Sequence, residues 1–242
     1  MIPSRTLLSE LVPPPSEGRV FEQTLRPGLA DSGPGGRVRL DAIARWLQDV
    51  AYADISDAGV ADLSLWVVRR MRIKVERFPR FAEQLRLRTW GSAIGRMWAE
   101  RRTSIEGADG AAVETVGLWV HLDPQTKRPV PPPEPVQRVY APSAQGRVVK
   151  ARLRHPAPPS DAERDSWRFR LSELDVAEHV NNSAYWAPLE ERLGAGPDPD
   201  SIDAEIEFRD PAQAGEVTLL TDGSRMWISG RDGLVHASIV TA

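Results

Sequence analysis

One short segment of this sequence gathers the side chains best suited to hydrolytic chemistry. The segment SELDVAEHVNN contains Asp175, His179, Asn181 and Asn182. A carboxylate can act as a general base or orient a water molecule, and an imidazole that titrates near neutral pH can assist the same water. A helix is expected to begin at the asparagines, so their backbone N–H groups, with that of Val180, could receive an oxyanion.

Each of these residues also has a purely structural interpretation. An aspartate before a helix is commonly a cap or turn residue, and an asparagine side chain often caps a helix. His179 differs from the other histidines because an acidic residue lies four positions before it and two asparagines follow it closely. We interpret His121, His155 and His236 as strand, linker and strand residues without a chemical role.

Two parts of the chain show the same order of predicted elements. In the first part, a strand around Arg19–Leu25 precedes a glycine-rich loop and a helix that Gly59 is expected to end. The helix has one apolar face, formed by Leu40, Ile43, Ala44, Leu47, Val50 and Ala51. Alternating strands follow, with turn signals at Gly91–Gly95 and at Asp109-Gly110.

The second part repeats this order. Trp167, Phe169 and Leu171 alternate in a strand, and the loop with Asp175 leads to a helix that extends to about Leu193. The segment 202–208 alternates apolar and polar residues, as half-buried strands do. Turns at Asp222-Gly223 and Asp232-Gly233 separate the last strands.

A proline-rich connector lies between the two parts, from Pro124 to Pro159, and shows neither helical nor strand periodicity. We therefore predict an N-terminal unit at 16–125, a linker at 126–163 and a C-terminal unit at 164–242. One apolar helix and one apolar sheet face per unit must cover each other. The predicted fold class is α+β, a double hot-dog in which each antiparallel sheet wraps around a central helix.

Four stretches carry a resemblance to a known family. The stretches are RVRLDAIARWLQDVAYADISDAG, LWVVRRMRIKVERFPRFAEQLRLRTWGSAIGRMWAERR, LWVHLDPQTKRPVPPP and SELDVAEHVNNSAYW. In this order they resemble the signature stretches of the acyl-acyl-carrier-protein thioesterases, over about Arg19 to Val240. The resemblance implies a double hot-dog fold and hydrolysis of a fatty acyl thioester without a metal or an organic cofactor.

The resemblance assigns Asp175 to the motif aspartate, which would activate water with His179. A thioester needs little acid assistance because its leaving thiol has a pKa of about 8.5. Two departures affect this assignment. Plant members carry asparagine where this chain has Ala177, and they carry an acidic residue in the strand after the helix, where Asp210 beside Pro211 could substitute. A slower enzyme, a changed catalytic set and a loss of activity all stay open.

The N-terminal unit has no histidine at the matching position, which predicts one site per chain. We expect this unit to form the acyl tunnel instead, with core packing as the alternative for each wall candidate. The candidates are Trp66, Val67, Val68, Met71 and Ile73. Arg70, Arg72 and Lys74 share a strand face that could contact an acidic acyl carrier protein, or could simply be a solvated outer face.

Composition excludes several other classes. A net charge of -3 and a pI near 5.9 do not favour nucleic-acid binding. The absence of cysteine excludes disulfides, zinc-thiolate sites and a cysteine nucleophile, and it suits the reducing cytoplasm. The residues through Pro15 lack a signal-peptide layout, and no apolar run is long enough to span a membrane.

The sequence thus predicts an acyl-acyl-carrier-protein thioesterase, with a possible homodimer of double units. Two alternatives stay open: a thioesterase that acts on acyl-CoA, because a DxxxHVNN-like segment also occurs in such enzymes, and a non-catalytic acyl-binding protein. Neither a GxSxG elbow nor a Walker loop is present, which disfavours a serine esterase and a nucleotide-binding protein.

Overall fold

Ten strands form one antiparallel sheet in the computed structural model, which describes residues 8–63 and 65–242. The strands are β1 Phe21–Leu25, β2 Leu65–Arg77, β3 Leu85–Ile94, β4 Trp98–Gly107, β5 Ala112–Leu122, β6 Glu163–Phe169, β7 Ile202–Phe208, β8 Gly215–Asp222, β9 Arg225–Ser229 and β10 Val235–Thr241. The α-helices are α1 Leu40–Asp57, α2 Glu134–Ala144 and α3 Ala187–Gly194. Residues 1–7, where no targeting signal is predicted, and Ser64 lie outside the described residues.

The strand order shows an internal duplication. The order is β1-β3-β4-β5-β2-β7-β10-β9-β8-β6, so each half has its first strand at an outer edge and its second strand at the centre. In both halves the helix comes between the first and second strands. The fold class predicted from the sequence, α+β with two tandem hot-dog units, is confirmed.

The first helix forms where the apolar periodicity predicts it. Leu40, Ile43 and Val50 are almost fully buried and pack in one core with the inward-facing residues of β2. Burying one such side chain contributes about 1.5–3 kcal/mol. The helix ends at Asp57, and Gly59 follows as the predicted terminator, with a φ of +68° that is easily adopted only without a β-carbon.

The two half-sheets join where β2 pairs with β7. On the inner face of this seam, Met71 lies opposite Ile206 and Ile73 opposite Ala204, and all four side chains belong to the core. The outer face is charged. The register there places Arg70 opposite Glu207, Arg72 opposite Glu205 and Lys74 opposite Asp203.

This charge ladder corrects the predicted carrier-binding stripe. Arg70 is only 5% exposed, and its guanidinium lies 3.6 Å from the Glu207 carboxylate. Arg72 bonds Asp203 at 2.6 Å, and the half-exposed Lys74 bonds the neighbouring Glu76. Arg70 and Arg72 therefore hold the seam together and are not presented to a carrier protein.

The linker contains a helix that its sequence did not predict. α2 packs against β3, where Gly91 leaves room for it, since a β-carbon at Gly91 would lie 3.1 Å from the Tyr140 side chain. Gly91 lies within β3, so the turn predicted at Gly91–Gly95 does not begin at Gly91. Farther along, the N–H groups of Arg154 and His155 donate to the Glu207 carboxylate, at 2.6 and 3.0 Å. The linker thus covers the outer face of the seam.

Within the described ranges, 8–63 and 65–242, no helix is both long enough and apolar enough to cross a lipid bilayer.

The seam generates a stability prediction. Arg70→Met removes the buried guanidinium and leaves the carboxylates of Glu205 and Glu207 less compensated, so we expect the free energy of unfolding to fall by about 3–5 kcal/mol. Urea unfolding followed by circular dichroism measures it. Arg86→Met, which breaks the exposed ion pair with Glu22, is the matched control and should change little. Equal effects of the two substitutions would contradict this account of the seam.

Candidate active site

A tight turn brings Asp175 and His179 together along the backbone. The Asp175 N–H donates to the His179 carbonyl at 2.9 Å, and the Glu178 N–H donates to the Asp175 carbonyl at 2.9 Å. Leu174 and Val180 form a single antiparallel bridge outside this turn. Glu178 has a φ of +61°, which lets the chain reverse within so few residues. The loop therefore has a defined shape before α3 begins.

Two N–H groups hold the Asp175 carboxylate. Its Oδ1 accepts the backbone N–H of Ala177 at 2.9 Å, and its Oδ2 accepts the side-chain Nδ2 of Asn181 at 3.1 Å. Donors of this kind stabilise the ionised carboxylate and fix its orientation. Ala177 contributes to the site through its backbone N–H.

Asn181 connects this loop to the helix of the other half. Its Oδ1 accepts the Gln48 Nε2 at 2.9 Å, as well as the N–H and the hydroxyl of Ser183. Gln48 belongs to α1, so the N-terminal half contributes a side chain to the candidate site. Sequence reasoning missed Gln48. The sequence signal that could have identified Gln48 is its place on one face of α1. Ala51 and Ile55 share that face, and all three residues line the same cavity.

The predicted oxyanion donors are largely committed elsewhere. The Val180 N–H donates to the Ala212 carbonyl at 3.0 Å, and the Asn181 N–H donates to the Glu173 carbonyl at 2.8 Å. The predicted helix start at Asn181 and Asn182 was wrong, because a 3-10 turn at Ala184–Trp186 precedes α3. Among the three predicted backbone donors, at Val180, Asn181 and Asn182, the Asn182 N–H alone has no hydrogen-bond partner within residues 8–63 and 65–242.

The imidazole of His179 is half-buried and forms no hydrogen bond to the part of the chain that the structure describes. It is therefore available to a water molecule or a ligand. Asp210 lies beside another histidine: its carbonyl contacts the His236 Nδ1 at 3.2 Å, and its carboxylate lies 3.8 Å from the same nitrogen. The contacts of Asp210 are thus with β10.

Tyr185 lies beneath the loop as a neutral group. Its hydroxyl accepts the Ala212 N–H at 2.8 Å, and its ring packs against Phe169 and Phe208. Burial raises the pKa of Tyr185 to about 12, although the Ala212 bond opposes the shift and the charges of Asp210 and Asp175 add to it. Tyr185 therefore stays protonated at neutral pH and supports the loop.

A largely apolar cavity of about 430 Å³ lies against this site. Its walls come from α1, from strands β2 to β5, from α2 and from the loop residue Val176. Gln48 lines the cavity and also bonds Asn181, so the cavity begins where the loop meets α1. A second cavity, of about 370 Å³, lies near the end of α3 and is not lined by loop residues.

One of the residues predicted to form a tunnel wall lines this cavity. Trp66 lines the cavity, whereas Val68, Met71 and Ile73 are buried in the main core and do not line it. Val67 is exposed. β2 thus contributes its beginning to the cavity and its middle to the core.

A buried charge cluster, which the sequence did not indicate, borders the cavity. The fully buried Asp54 of α1 accepts the Arg19 Nε at 2.6 Å, the Tyr140 hydroxyl at 2.8 Å and the Arg101 Nη1. Arg101 and Tyr140 line the cavity. The cluster therefore joins α1 to β4 and α2 through one carboxylate.

One group of described residues has the composition of a metal site. The potential ligand atoms of His155, Glu205 and Glu207 lie within 4.8 Å of one another. Burial opposes ionisation of Glu205, but the adjacent His155, Ser9 and Arg70 lower its pKa below the ordinary value. Three guanidinium groups lie within 4 Å of the two carboxylates, from Arg70, Arg154 and Arg209. Their positive charge would repel a divalent cation, so the group does not fit a metal.

Comparison with known proteins identifies relatives of the chain. Residues 18–140 match the family described as acyl-ACP thioesterase N-terminal domain. An uncharacterised protein of Mycobacterium tuberculosis is 27% identical over 208 residues, which cover 85% of this chain and 83% of that protein. A chloroplastic acyl-[acyl-carrier-protein] hydrolase of Cuphea viscosissima is 24% identical over 70% of this chain, which spans 46% of that relative.

Solved structures show the same fold. A 12:0-ACP thioesterase from Umbellularia californica has a TM-score of 0.74 at 22% identity, with 93% of this chain and 97% of that chain covered. A putative oleoyl thioesterase from Lactobacillus plantarum also has a TM-score of 0.74, at 20% identity, with 93% and 96% covered. The double arrangement of the sheet is therefore shared over nearly the whole chain.

The bond between α1 and the loop gives a testable prediction. Gln48→Ala removes the hydrogen bonds to Asn181, so we expect the amides of Val180 and Asn181 to exchange with solvent about 5- to 30-fold faster. Hydrogen exchange followed by mass spectrometry or NMR measures it. Gln84→Ala, which removes the exposed bond to Arg26, is the control and should leave the loop unchanged. Unaltered exchange in Gln48→Ala would mean that the bridge does not hold the loop.

Proposed function

Because the chain belongs to the acyl-acyl-carrier-protein thioesterase family, a family of thioester hydrolases, we propose that it hydrolyses fatty acyl-acyl-carrier-protein to a free fatty acid and the carrier thiol. One observation carries the proposal. An apolar cavity begins at Gln48, which bonds Asn181, which in turn bonds the Asp175 carboxylate. An acyl chain in the cavity would have its thioester end at this contact.

Asp175 is the proposed general base. The carboxylate takes a proton from a water molecule while the water oxygen bonds to the thioester carbonyl carbon. The carbon–sulfur bond then breaks, and the sulfur leaves as a thiolate that needs no strong acid because its pKa is about 8.5. The proton held by Asp175 then passes through solvent to the thiolate, which gives the carrier thiol and restores the carboxylate. His179, whose imidazole has no hydrogen-bond partner within the described ranges, orients the water or donates to the carbonyl oxygen.

The Asn182 N–H is the proposed oxyanion donor. In the described part of the chain it lacks an acceptor, while the N–H groups of Val180 and Asn181 are used within the fold. A single fixed donor of this kind can contribute about 2.7–4 kcal/mol to transition-state stabilisation. The Asn181 side chain positions Asp175 and does not contact the substrate.

Removal of the proposed base gives the first activity prediction. Asp175→Asn keeps an acceptor for the Ala177 N–H but cannot accept a proton, so we expect kcat to fall by about 10²–10⁴-fold. The measurement is thiol release from acyl carrier proteins of several chain lengths. Asp232→Asn is a matched control because Asp232 also accepts the N–H two residues later, that of Leu234, in a turn outside the site.

Equal activity of Asp175→Asn and the wild type would reject the assignment of Asp175. Acyl-chain binding without any thiol release from carrier or CoA esters would instead support a non-catalytic acyl-binding protein.

The preference for a carrier-protein ester over a CoA ester is tested separately. The acyl chain contributes equally in a carrier ester and a CoA ester, whereas the carrier adds a protein–protein contact. We therefore expect kcat/KM to be at least about tenfold higher for the carrier ester at equal chain length, a difference of about 1.4 kcal/mol. A preference for the CoA ester would assign the protein to acyl-CoA hydrolysis.

A further inference from the structure

A guanidinium group lies at the wall of the largely apolar cavity, which Gln48, Glu100 and Gln137 also line. Arg101 lines the cavity, and its guanidinium lies 5.1 Å from the centre of the Tyr140 ring. Its Nη1 donates to Asp54 and, at 3.2 Å, to the hydroxyl of Thr89. The guanidinium also interacts with the Tyr140 hydroxyl, but the other two nitrogens, Nε and Nη2, make no hydrogen bond of standard geometry within 8–63 or 65–242, and neither is closed off from solvent. Their N–H groups are therefore available to a molecule in the cavity.

The next residue on β4 differs from Arg101 in this respect. Arg102 commits all three of its nitrogens: Nε to the Val12 carbonyl, Nη1 to the Thr115 carbonyl and Nη2 to the Glu114 carboxylate. Charged donors that face an apolar space without a partner are costly. In ligand cavities, a few fixed polar groups of this kind commonly determine specificity.

The charge balance around Arg101 indicates what kind of oxygen would bind. Arg101 and Arg19 share the Asp54 carboxylate, and Arg19 also pairs with Asp57. The cluster thus contains two positive and two negative groups. An uncharged acceptor suits it better than an additional carboxylate, because no positive charge is left unbalanced.

The helix gives the position of that oxygen along an acyl chain. Gln48, at the thioester end, and Asp54, which holds Arg101, lie six positions apart on α1, which corresponds to about 9 Å. An extended chain advances about 1.2 Å per bond, since a residue of three bonds spans about 3.3–3.6 Å. Measured along the helix axis, this separation corresponds to about seven bonds of an extended acyl chain.

We propose that the cavity selects acyl chains with an uncharged acceptor oxygen, a hydroxyl or an oxo group, near carbon 8, which binds the free N–H groups of Arg101. This substrate class rests on the thioester hydrolysis proposed above. The reaction itself is unchanged, because the oxygen on the chain is bound and not transformed.

Binding of free acids to the full chain tests the proposal without requiring turnover. Isothermal titration calorimetry compares dodecanoic, 8-hydroxydodecanoic and 8-oxododecanoic acids. 3-Hydroxydodecanoic acid controls for the position of the oxygen, and 8-carboxydodecanoic acid, which keeps the same main chain, controls for its charge. We expect the 8-hydroxy or the 8-oxo acid to bind about tenfold tighter than dodecanoic acid, and neither control to do so. Whichever of these two acids binds tighter shows whether the site prefers a hydroxyl or an oxo group.

A substitution connects the preference to Arg101. Arg101→Lys keeps a positive charge beside Asp54 but lacks the additional N–H groups, so the preference should fall below about twofold. Arg86→Lys makes the same change at an exposed ion pair and should keep the full preference. Thermal unfolding confirms that each variant is folded, and if Arg101→Lys is not folded, the comparison of acids on the wild type decides.

Equal affinity of the wild type for the 8-substituted acids and dodecanoic acid would overturn the proposal, and so would a preference that persists in a folded Arg101→Lys. Thiol release without this preference would reject the substrate class alone. The preference without thiol release from any ester would reject hydrolysis alone.

Discussion

The antiparallel pairing of β2 with β7 is the interaction on which the rest of the structure depends. It makes two half-sheets one surface, and it aligns apolar residues on the inner face with a ladder of opposite charges on the outer face. Since the register is fixed on both faces, a one-residue slip would bury the charges in the core. The same pairing sets α1 beside the loop of the other half, where Gln48 bonds Asn181.

The two halves share a topology and differ in what they contribute to the site. The N-terminal half has a helix of 18 residues and most of the cavity wall, and the loop before that helix contains no histidine. The C-terminal half has a helix of 8 residues, preceded by a loop that carries a carboxylate and an imidazole. Under the proposed function, each half would contribute a different part of one site at their junction. One such site per chain is the arrangement predicted from the sequence.

Local patterns predicted most of the fold, and the failures have physical causes. Apolar periodicity located α1, and alternation located the strands of both halves, since these signals come from burial on one face. The helix α2 was missed because Pro135 and Pro142 are residues that usually argue against a helix. This short helix is stabilised by the packing of Tyr140 over Gly91, which local sequence does not indicate. The loop residues Asp175 and His179 could be named from sequence. Gln48 could not, because its contact depends on the pairing of distant strands.

The cavity follows from side-chain size. Small residues line it on both sides: Ala51 on α1, and Gly91, Ala93 and Ala99 on the sheet. Interiors normally close such gaps, because a void loses the contacts that larger side chains would make. A gap kept open between a helix and a sheet, bordered by a buried ion cluster at one side and by the Asp175 loop at the other, therefore supports the proposal that a ligand binds there. The polar groups at its two borders, Gln48 and Arg101, would then determine where that ligand reacts and what it must carry.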